Sequence, residues 1–480
     1  MEIKDKLEDK KSRETSRFLS FFKKIGINIK TSFKNFVNRF KDGSIGTKLS
    51  HFFMGAGNFY HKQFIKGVIY LSIQIGFLTL LIASPKVNNT PIGFKSLVNL
   101  ITLGTEEGSF ELGIPTDNSM LMLLFGVIVI GLLGMFLAAY LSNIKSSYKA
   151  DLDVKANKKP TTFKEDIASM LDERFHTALL TPAIIGIVTF TILPTIFMIL
   201  IAFTNYDKDH QGEELISWVG FENFTNIFSG TGEIANRFLP VLIWTLIWAV
   251  FATATNYIGG ILLALLINKK EVKGKKLWRT IFVLTIALPQ FITLLAIRSL
   301  LRTDGPINQI LMDLGLISEA IEFLGNANSP WLARGMVILI NIWIGVPYTM
   351  LMTSGILMNV PTELYEAAQI DGATKRQAFF NITIPYIIFV TTPYLITSFI
   401  GNITSFNVIF LLTNGGPKVS GGWQAGETDL LVTWLYKLTI EQKDYNLGAV
   451  IAIFTFIITA TATLLTYRRS KAFKEEDAFQ

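Results

Sequence analysis

A small set of neutral residues interrupts the long apolar stretches of this 480-residue chain. The set is Gln290, Asn341, Gly345, Ser398, Asn402 and Ser405. Ser398, Asn402 and Ser405 are spaced at i, i+4 and i+7, so a helix would carry them along one stripe, and Asn341 and Gly345 are one helical turn apart. Amides and hydroxyls both donate and accept hydrogen bonds. Such groups suit a neutral, polyhydroxylated ligand such as a sugar.

Long helices must position these residues, and the composition of the chain predicts such helices. Half of the residues are hydrophobic and 17% are charged, which is typical of a protein that crosses the membrane several times. A helix needs about 20 apolar residues to cross a bilayer. Eight stretches are long enough: 64–84, 120–142, 178–203, 240–267, 280–301, 334–358, 385–410 and 446–467. The sequence therefore predicts an all-α, polytopic membrane protein with eight transmembrane helices.

Basic residues cluster in alternate gaps between these spans, and retained basic loops face the cytoplasm. The segment before the first span and the gaps after the second and fourth spans are rich in Lys and Arg, whereas the gap after the third span carries Asp207, Asp209, Glu213 and Glu214. We therefore expect a plasma-membrane protein with both termini and the gap at 359–384 in the cytoplasm. The net charge of +7 then indicates contact with anionic membrane lipid and gives no support to nucleic-acid binding.

This orientation sets the depth of the polar residues. Asn341, Asn402 and Ser405 fall in the outer half of the membrane, and Gln290 and Ser398 nearer its centre. A shared depth favours a common ligand site, because polar groups inside a bilayer face protein or a water-filled path. Helix packing is the alternative for each residue, since amides, hydroxyls and glycines also hold membrane helices together.

Several classes of chemistry lack the residues they need. The chain has no cysteine, which excludes disulfides and thiol catalysis. The four histidines are scattered without metal-site spacing, no phosphate-binding Gly-rich Lys motif occurs, and we expect no cofactor. An ion-coupled carrier would need deep carboxylates or histidines, and a membrane enzyme acting on a lipid-linked sugar would need a carboxylate or histidine constellation. Both rivals are therefore disfavoured, and any ATP hydrolysis must occur on another chain.

The polar gap at 359–384 separates two apolar runs and predicts two short helices. Pro361 suits the first turn of one helix, Gly372 can close it, and Thr374 with Gln377 forms a capping box for the next. Small side chains at 367, 368 and 373 would let another surface approach. An ordinary helix-turn-helix connector is the alternative interpretation.

The same stretch resembles the E-A-A loop of ABC-importer membrane permeases. The matching residues are Glu366, Ala367, Ala368, Asp371, Gly372, Ala373, Phe379, Ile382 and Pro385. In that family the loop is a coupling helix that docks into a cytoplasmic ATPase. The resemblance covers roughly residues 175–470 well and the leading part more loosely.

The resemblance also implies partners and a substrate class. Two additional spans before a six-span core mark the maltose and maltodextrin type, so it implies a second homologous permease, two copies of an ATP-binding subunit and an extracytoplasmic sugar-binding protein. The six polar positions named above align with the family's sugar-contacting positions, and the resemblance adds contact from Phe406. The short gap at 204–239 departs from relatives with a large external domain there.

The expected organisation follows the charge and hydropathy pattern. It comprises a basic N-terminal region (1–63), two leading spans (64–142), a charged linker (143–177), a six-helix core (178–467) and a cytoplasmic tail (468–480). Phe18, Phe22, Ile25, Ile29, Phe33, Phe36 and Phe40 recur at helical spacing and predict an amphipathic helix on the inner membrane surface, with a disordered basic arm as the alternative. No cleavable signal peptide is expected, because about sixty polar and basic residues precede the first apolar run. Trp423, Trp434 and Tyr436 in the last external segment suggest an interfacial belt or contacts with a delivery protein.

Overall fold

The computed structural model describes residues 30–105, 117–210, 215–229, 233–269, 271–419 and 425–469. These residues form two compact units. The first contains residues 30–198 with Leu215 and Ile216, and the second contains 199–210 and the described residues from Ser217 onward.

The first unit is helical apart from one small hairpin. Its elements are α1 (30–42), α2 (Ile45–Ser50), α3 (Ala56–Tyr60), α4 (Phe64–Ala83), β1 (Lys86–Val87), β2 (Thr90–Pro91), α5 (Phe94–Thr102), α6 (Ser119–Lys155), α7 (Phe163–Leu171), α8 (Phe175–Ile187), a π-helical turn (Val188–Ile192) and α9 (Leu193–Ile201), whose end lies in the second unit. The two strands pair antiparallel. At 37 residues, α6 is about 56 Å long, so it extends well beyond a hydrocarbon layer of about 30 Å.

The carboxylate of Asp151 fixes short helices against the end of α6. It accepts hydrogen bonds from the backbone N–H of Ser44 (2.7 Å), the hydroxyl of Ser44 (2.6 Å) and the hydroxyl of Thr47 (2.5 Å), and it contacts the ring of His61. Its side chain is almost fully buried. Four interactions therefore hold a buried charge, and they tie α2 and the residue after α3 to α6.

Part of the predicted amphipathic helix is present as α1. Phe33 and Phe40 are exposed, whereas Phe36 packs its ring 5.1 Å from that of His51 and 6.4 Å from that of Tyr140. The predicted positions 18, 22, 25 and 29 lie outside the described residues. Phe40 also places its ring 5.1 Å from that of His51. The described part is thus a helix with two aromatic contacts to His51 and with Phe33 open to the surroundings.

The second unit contains the remaining helices. They are α10 (Glu222–Phe228), α11 (Glu233–Asn268), α12 (Lys275–Ala287), α13 (Gln290–Leu300), α14 (Pro306–Asp313), α15 (Pro330–Met358), α16 (Thr362–Ile370), α17 (Lys375–Ala378), a π-helical turn (Phe379–Thr383), α18 (Ile384–Ile403), α19 (Asn407–Thr413), α20 (Leu431–Tyr436), a second π-helical turn (Lys437–Gln442) and α21 (Tyr445–Arg469). Its core gathers side chains from α11, α13, α15 and α19, with Trp248 at its centre.

The fold class is confirmed. Among the described residues, seven helices are long and apolar enough to cross a membrane, and one bent helix pair provides an eighth span. The fifth predicted span, 280–301, is that pair: α12 and α13 meet at 93°. Pro289 explains the break, because proline has no N–H for the helix ladder and forces Leu288 into extended backbone. The prediction of one continuous helix there was wrong.

The seventh span also ends earlier than predicted. The predicted stretch was 385–410, but the helix ends at Ile403 and α19 starts at Asn407. The carbonyl of Asn402 accepts hydrogen bonds from Ser405 N (3.2 Å) and from Trp248 Nε1 (3.1 Å). A distant indole thus satisfies a helix-terminal carbonyl, a signal that the local sequence does not contain.

The crossing of α11 and α15 depends on close backbone approach. A Cβ atom on Gly260 would lie 2.4 Å from Cβ of Thr349, and one on Gly345 would lie 2.1 Å from Nδ2 of Asn256. Only glycine fits at both positions without displacing its neighbour. Small residues therefore permit this crossing, as they do in many membrane helix pairs.

The segment between α19 and α20 is anchored by ionic and aromatic contacts. Arg334 donates to the carbonyl (2.8 Å) and the carboxylate (2.7 Å) of Glu427, and its guanidinium lies 4.7 Å from the ring of Trp244 and 4.8 Å from that of Trp331. Trp434 is fully buried, so it belongs neither to an interfacial belt nor to a docking surface, and that expectation was wrong for this residue. Trp423 lies outside the described residues.

Candidate functional site: the loop at 359–384 and the polar groups of the spans

The loop at 359–384 forms the two predicted short helices. The helix α16 follows Pro361, which is its N-cap rather than a first-turn residue. Gly372 closes the helix at φ +76°, and the N–H of Ala373 bonds the carbonyl of Ala368 at 2.8 Å. Thr374 and Gln377 make the predicted capping box, with Thr374 N to Gln377 Oε1 at 2.8 Å and Gln377 N to Thr374 Oγ1 at 3.3 Å. The local signals were sufficient here because caps are local interactions.

The outer surface of this loop is open. Glu366, Ala367 and Asp371 are exposed, and Ile370 exposes 87% of its surface. A Cβ atom on Gly372 would meet nothing within 4 Å. A polar surface with one projecting isoleucine is the kind of feature that an apolar pocket on a partner can hold.

A hydroxyl pair joins this loop to the following span. The hydroxyls of Tyr365 and Thr383 lie 2.8 Å apart, which connects α16 to the π-helical turn that begins at Phe379 and leads into α18. Ile382 is half-buried in that turn and Pro385 occupies the first turn of α18. A side-chain contact therefore joins α16 to the turn that leads into α18, in addition to the connection through the chain itself.

Asn402 is engaged in packing. Its Nδ2 donates to the hydroxyl of Thr253 on α11 at 2.9 Å. Gly345 likewise faces Asn256 of α11 at contact distance. In this structure, Asn402 and Gly345 therefore both take part in the packing of helices against α11.

Asn341 differs from Asn402. It is 5% exposed on α15, and its Nδ2 is buried without a hydrogen-bond partner among the described residues. A buried amide without a partner costs about 1–3 kcal/mol. Such an orphaned donor is what a site for a hydroxylated ligand would contain.

Gln290 lines a cavity of about 360 Å³ at the 93° break. The lining also includes Thr285, Thr293, Trp343 and Tyr348, which come from α12, α13 and α15. The polar side chains in this wall are neutral, and the two aromatic rings are more than half exposed. The volume lies within the ordinary range of small-molecule sites.

The other predicted contacts lie apart from this cavity wall. Ser398 is half-buried on α18, whereas Ser405 follows the end of that helix. The expected stripe of three residues is therefore wrong for Ser405. Phe406 caps α19 and packs its ring 4.7 Å from Phe410 and 5.1 Å from Tyr436.

Sequence reasoning missed Trp343 and Tyr348. Both are aromatic residues in an apolar run, and their types alone do not separate a cavity wall from lipid contact. The spacing of five positions places them on nearly opposite sides of a straight helix, so only the approach of α12 and α13 reveals a common cavity.

Comparisons with known proteins agree with this architecture. Residues 256–473 match the family model described as "Binding-protein-dependent transport system inner membrane component". The galactooligosaccharides transport system permease protein of Bacillus subtilis is 34% identical over 435 residues, covering 88% of this chain and 96% of that protein. The chain belongs to this permease family.

A second relative and a solved structure extend the comparison. The maltodextrin transport system permease protein of Streptococcus pneumoniae is 34% identical over 432 residues, covering 88% of this chain and 95% of that protein. A chain of a bacterial ABC transporter that imports alginate has 24% identity and a TM-score of 0.52, covering 64% of this permease and 98% of that chain, which supports the fold. This permease is thus a multi-pass transport subunit and not an enzyme, and it works within a binding-protein-dependent system.

Proposed function

We propose that this chain is the sugar-conducting permease subunit of an ATP-driven importer of maltodextrin-type oligosaccharides. It pairs with a second homologous permease and with two copies of a cytoplasmic ATPase, and it receives sugar from an extracytoplasmic binding protein. Both termini and the 359–384 loop face the cytoplasm. The relatives that cover 88% of the chain and are named for galactooligosaccharide and maltodextrin transport support the oligosaccharide class.

We propose that the cavity at the 93° break binds the sugar. Gln290 and Thr293 offer neutral donors and acceptors, and Trp343 and Tyr348 offer exposed apolar ring surface. A sugar presents hydroxyls at its edge and C–H groups on its faces, so it matches both surfaces. The orphaned amide of Asn341 lies outside this cavity wall and is buried, so we propose that a sugar hydroxyl satisfies it only when the spans rearrange during transport.

The coupling proposal rests on the exposed loop. ATPase closure displaces α16 through the surface around Ile370 and Gly372, and the Tyr365–Thr383 contact carries that displacement into α18. Transport then follows if the two ATPase states favour different arrangements of the spans. This chain changes no covalent bond in the process.

The test is uptake of labelled maltotriose by cells that lack this chain, before and after the chain is restored. ATP and the ion gradients are depleted separately. We expect restored uptake that follows ATP and survives gradient collapse. Uptake that follows the ion gradient would overturn the coupling mechanism.

Substrate class is tested in the same cells with labelled galactotriose. If galactotriose enters and maltotriose does not, the maltodextrin assignment is wrong while the importer assignment stands. If the chain and its partners are present and neither sugar enters, the oligosaccharide assignment is wrong.

A further inference from the structure

A polar cavity of about 420 Å³ lies between α1 and α6 in the first unit. Its lining residues are Asn35, Asn38, Arg39 and Asp42 from α1 and Lys145, Tyr148, Lys149 and Leu152 from α6. Each set follows the spacing i, i+3, i+4, i+7, so each is one face of its helix. Where two helices face each other, those positions are ordinarily apolar. Here only Leu152 is an apolar side chain.

The charge of this cavity is unbalanced. Arg39, Lys145 and Lys149 contribute three positive charges, and Asp42 contributes one negative charge. None of the three basic side chains has a hydrogen bond or an ion pair to any other described residue. Lys145 and Lys149 are exposed and Arg39 is half-buried. Three clustered cations favour an anion, because each can form a charge-assisted hydrogen bond with it.

The neutral groups complete a binding surface for oxygen atoms. Asn35 and Asn38 add amide donors, and Tyr148 adds a half-buried phenol. The walls are held in place from both ends: Phe36 packs against His51 and Tyr140, and Lys155 Nζ bonds the carbonyl of Asp42 at 3.0 Å. A phosphate group, with several acceptor oxygens and at least one negative charge, fits this set of donors.

The position along α6 identifies the source of the phosphate. The apolar part of α6 ends near residue 142, so Lys145 and Lys149 lie about 5 and 10 Å beyond the hydrocarbon edge at 1.5 Å per residue. The headgroup layer is roughly 5–8 Å thick on each side. The basic residues therefore begin within the headgroup layer and extend to its aqueous edge, on the side that the charge pattern assigns to the cytoplasm.

We infer that this cavity binds the phosphate of an anionic phospholipid headgroup, with Arg39, Lys145 and Lys149 as its ligands. The bound lipid joins α1 to the membrane end of α6. The inference depends on the membrane placement of α6 and is independent of the transported sugar.

The test is native mass spectrometry of the detergent-purified full-length chain titrated with phosphatidylglycerol, phosphatidylcholine or glycerol 3-phosphate. The pocket variant carries Arg39→Gln, Lys145→Gln and Lys149→Gln. The matched control carries Lys48→Gln, Lys158→Gln and Lys159→Gln, which remove the same charge at exposed positions outside the cavity lining. We expect the unmodified chain and the control to prefer phosphatidylglycerol over phosphatidylcholine by about tenfold or more.

The pocket variant should lose that preference, and glycerol 3-phosphate should not displace the lipid. An equal loss in the pocket variant and in the control would show diffuse surface attraction and overturn the site. Displacement by glycerol 3-phosphate at the lipid's own binding concentration would overturn the lipid source in favour of a soluble phosphate. If the triple pocket variant is not recovered folded, Lys149→Gln is compared with Lys158→Gln, and we expect roughly a fivefold loss in the first alone.

Discussion

The two intramembrane asparagines have different surroundings, and the difference predicts different effects of the same substitution. Asn402→Leu removes the hydrogen bond to Thr253 and leaves that hydroxyl to find another partner. We expect a loss of about 1–2 kcal/mol in the free energy of unfolding, measured as a lower melting temperature. On a Thr253→Val background the same substitution should cost clearly less. Additive effects of the two substitutions would contradict the pairing.

Asn341→Leu should act on transport instead of stability. Its amide has no partner to lose among the described residues, so we expect a melting temperature equal to or above that of the unmodified chain. Without the donor, the apparent affinity for sugar should fall about tenfold, because one hydrogen bond to the ligand is worth on the order of 1 kcal/mol or more. Uptake kinetics at matched membrane levels measure this. An unchanged KM would show that Asn341 does not contact the sugar.

The proposed coupling role of the loop at 359–384 can be tested through the backbone of Gly372. At φ +76° a β-branched residue is strained, whereas Asn tolerates the left-handed region. No atom lies within 4 Å of the added Cβ, so a clash inside the chain cannot explain an effect. Gly372→Val should therefore reduce uptake about tenfold or more at normal membrane levels.

Gly372→Asn is the matched variant and should retain most of the uptake. Loss in both variants would mean that the docked surface excludes any side chain at this position. Normal uptake in Gly372→Val would contradict the proposed coupling role of this loop.

Which elements the sequence predicts depends on the range of the interactions that define them. The end of α16 and the start of α17 were predictable because Gly372, Thr374 and Gln377 act within one turn. The end of α18 was not, since its terminal carbonyl bonds Trp248, which is 154 residues away. Pro289 indicates a break in the fifth span, but the 93° angle depends on how α12 and α13 pack. The cavity at Gln290 could not be predicted from the sequence, because it also depends on how these helices pack.

The charges around Asp444 predict a pH-dependent contribution to the stability of the second unit. Asp444 is 3% exposed, and its Oδ2 has no hydrogen-bond partner among the described residues. Burial, with repulsion from Asp207 and Asp209 and partial compensation from Lys208, raises its pKa from 3.8 to about 6. A carboxyl whose pKa rises on folding destabilises the native state at any pH where the unfolded group is ionised.

The destabilisation by ionised Asp444 should be largest at neutral pH and vanish in acid. Well below pH 3.8 the group is protonated in both states and contributes nothing. Its destabilising effect grows as the pH rises from 3.8 and is complete well above pH 6. Asp444→Asn should therefore raise the melting temperature at pH 7.5, by an amount equivalent to about 2 kcal/mol after allowance for solvent screening. The gain should shrink steadily as the pH falls towards 4.

The control for this prediction is Asp313→Asn, which makes the same charge change at an exposed position and should have little effect at any pH. A gain for Asp444→Asn that is equal at pH 7.5 and pH 4 would show that the substitution acts through packing. The carboxyl of Asp444 would then contribute nothing to the pH dependence of stability. A pH-dependent gain instead means that the region around Asp444 is most stable when this carboxyl is protonated. In the proposed topology that region lies on the side where the binding protein delivers sugar.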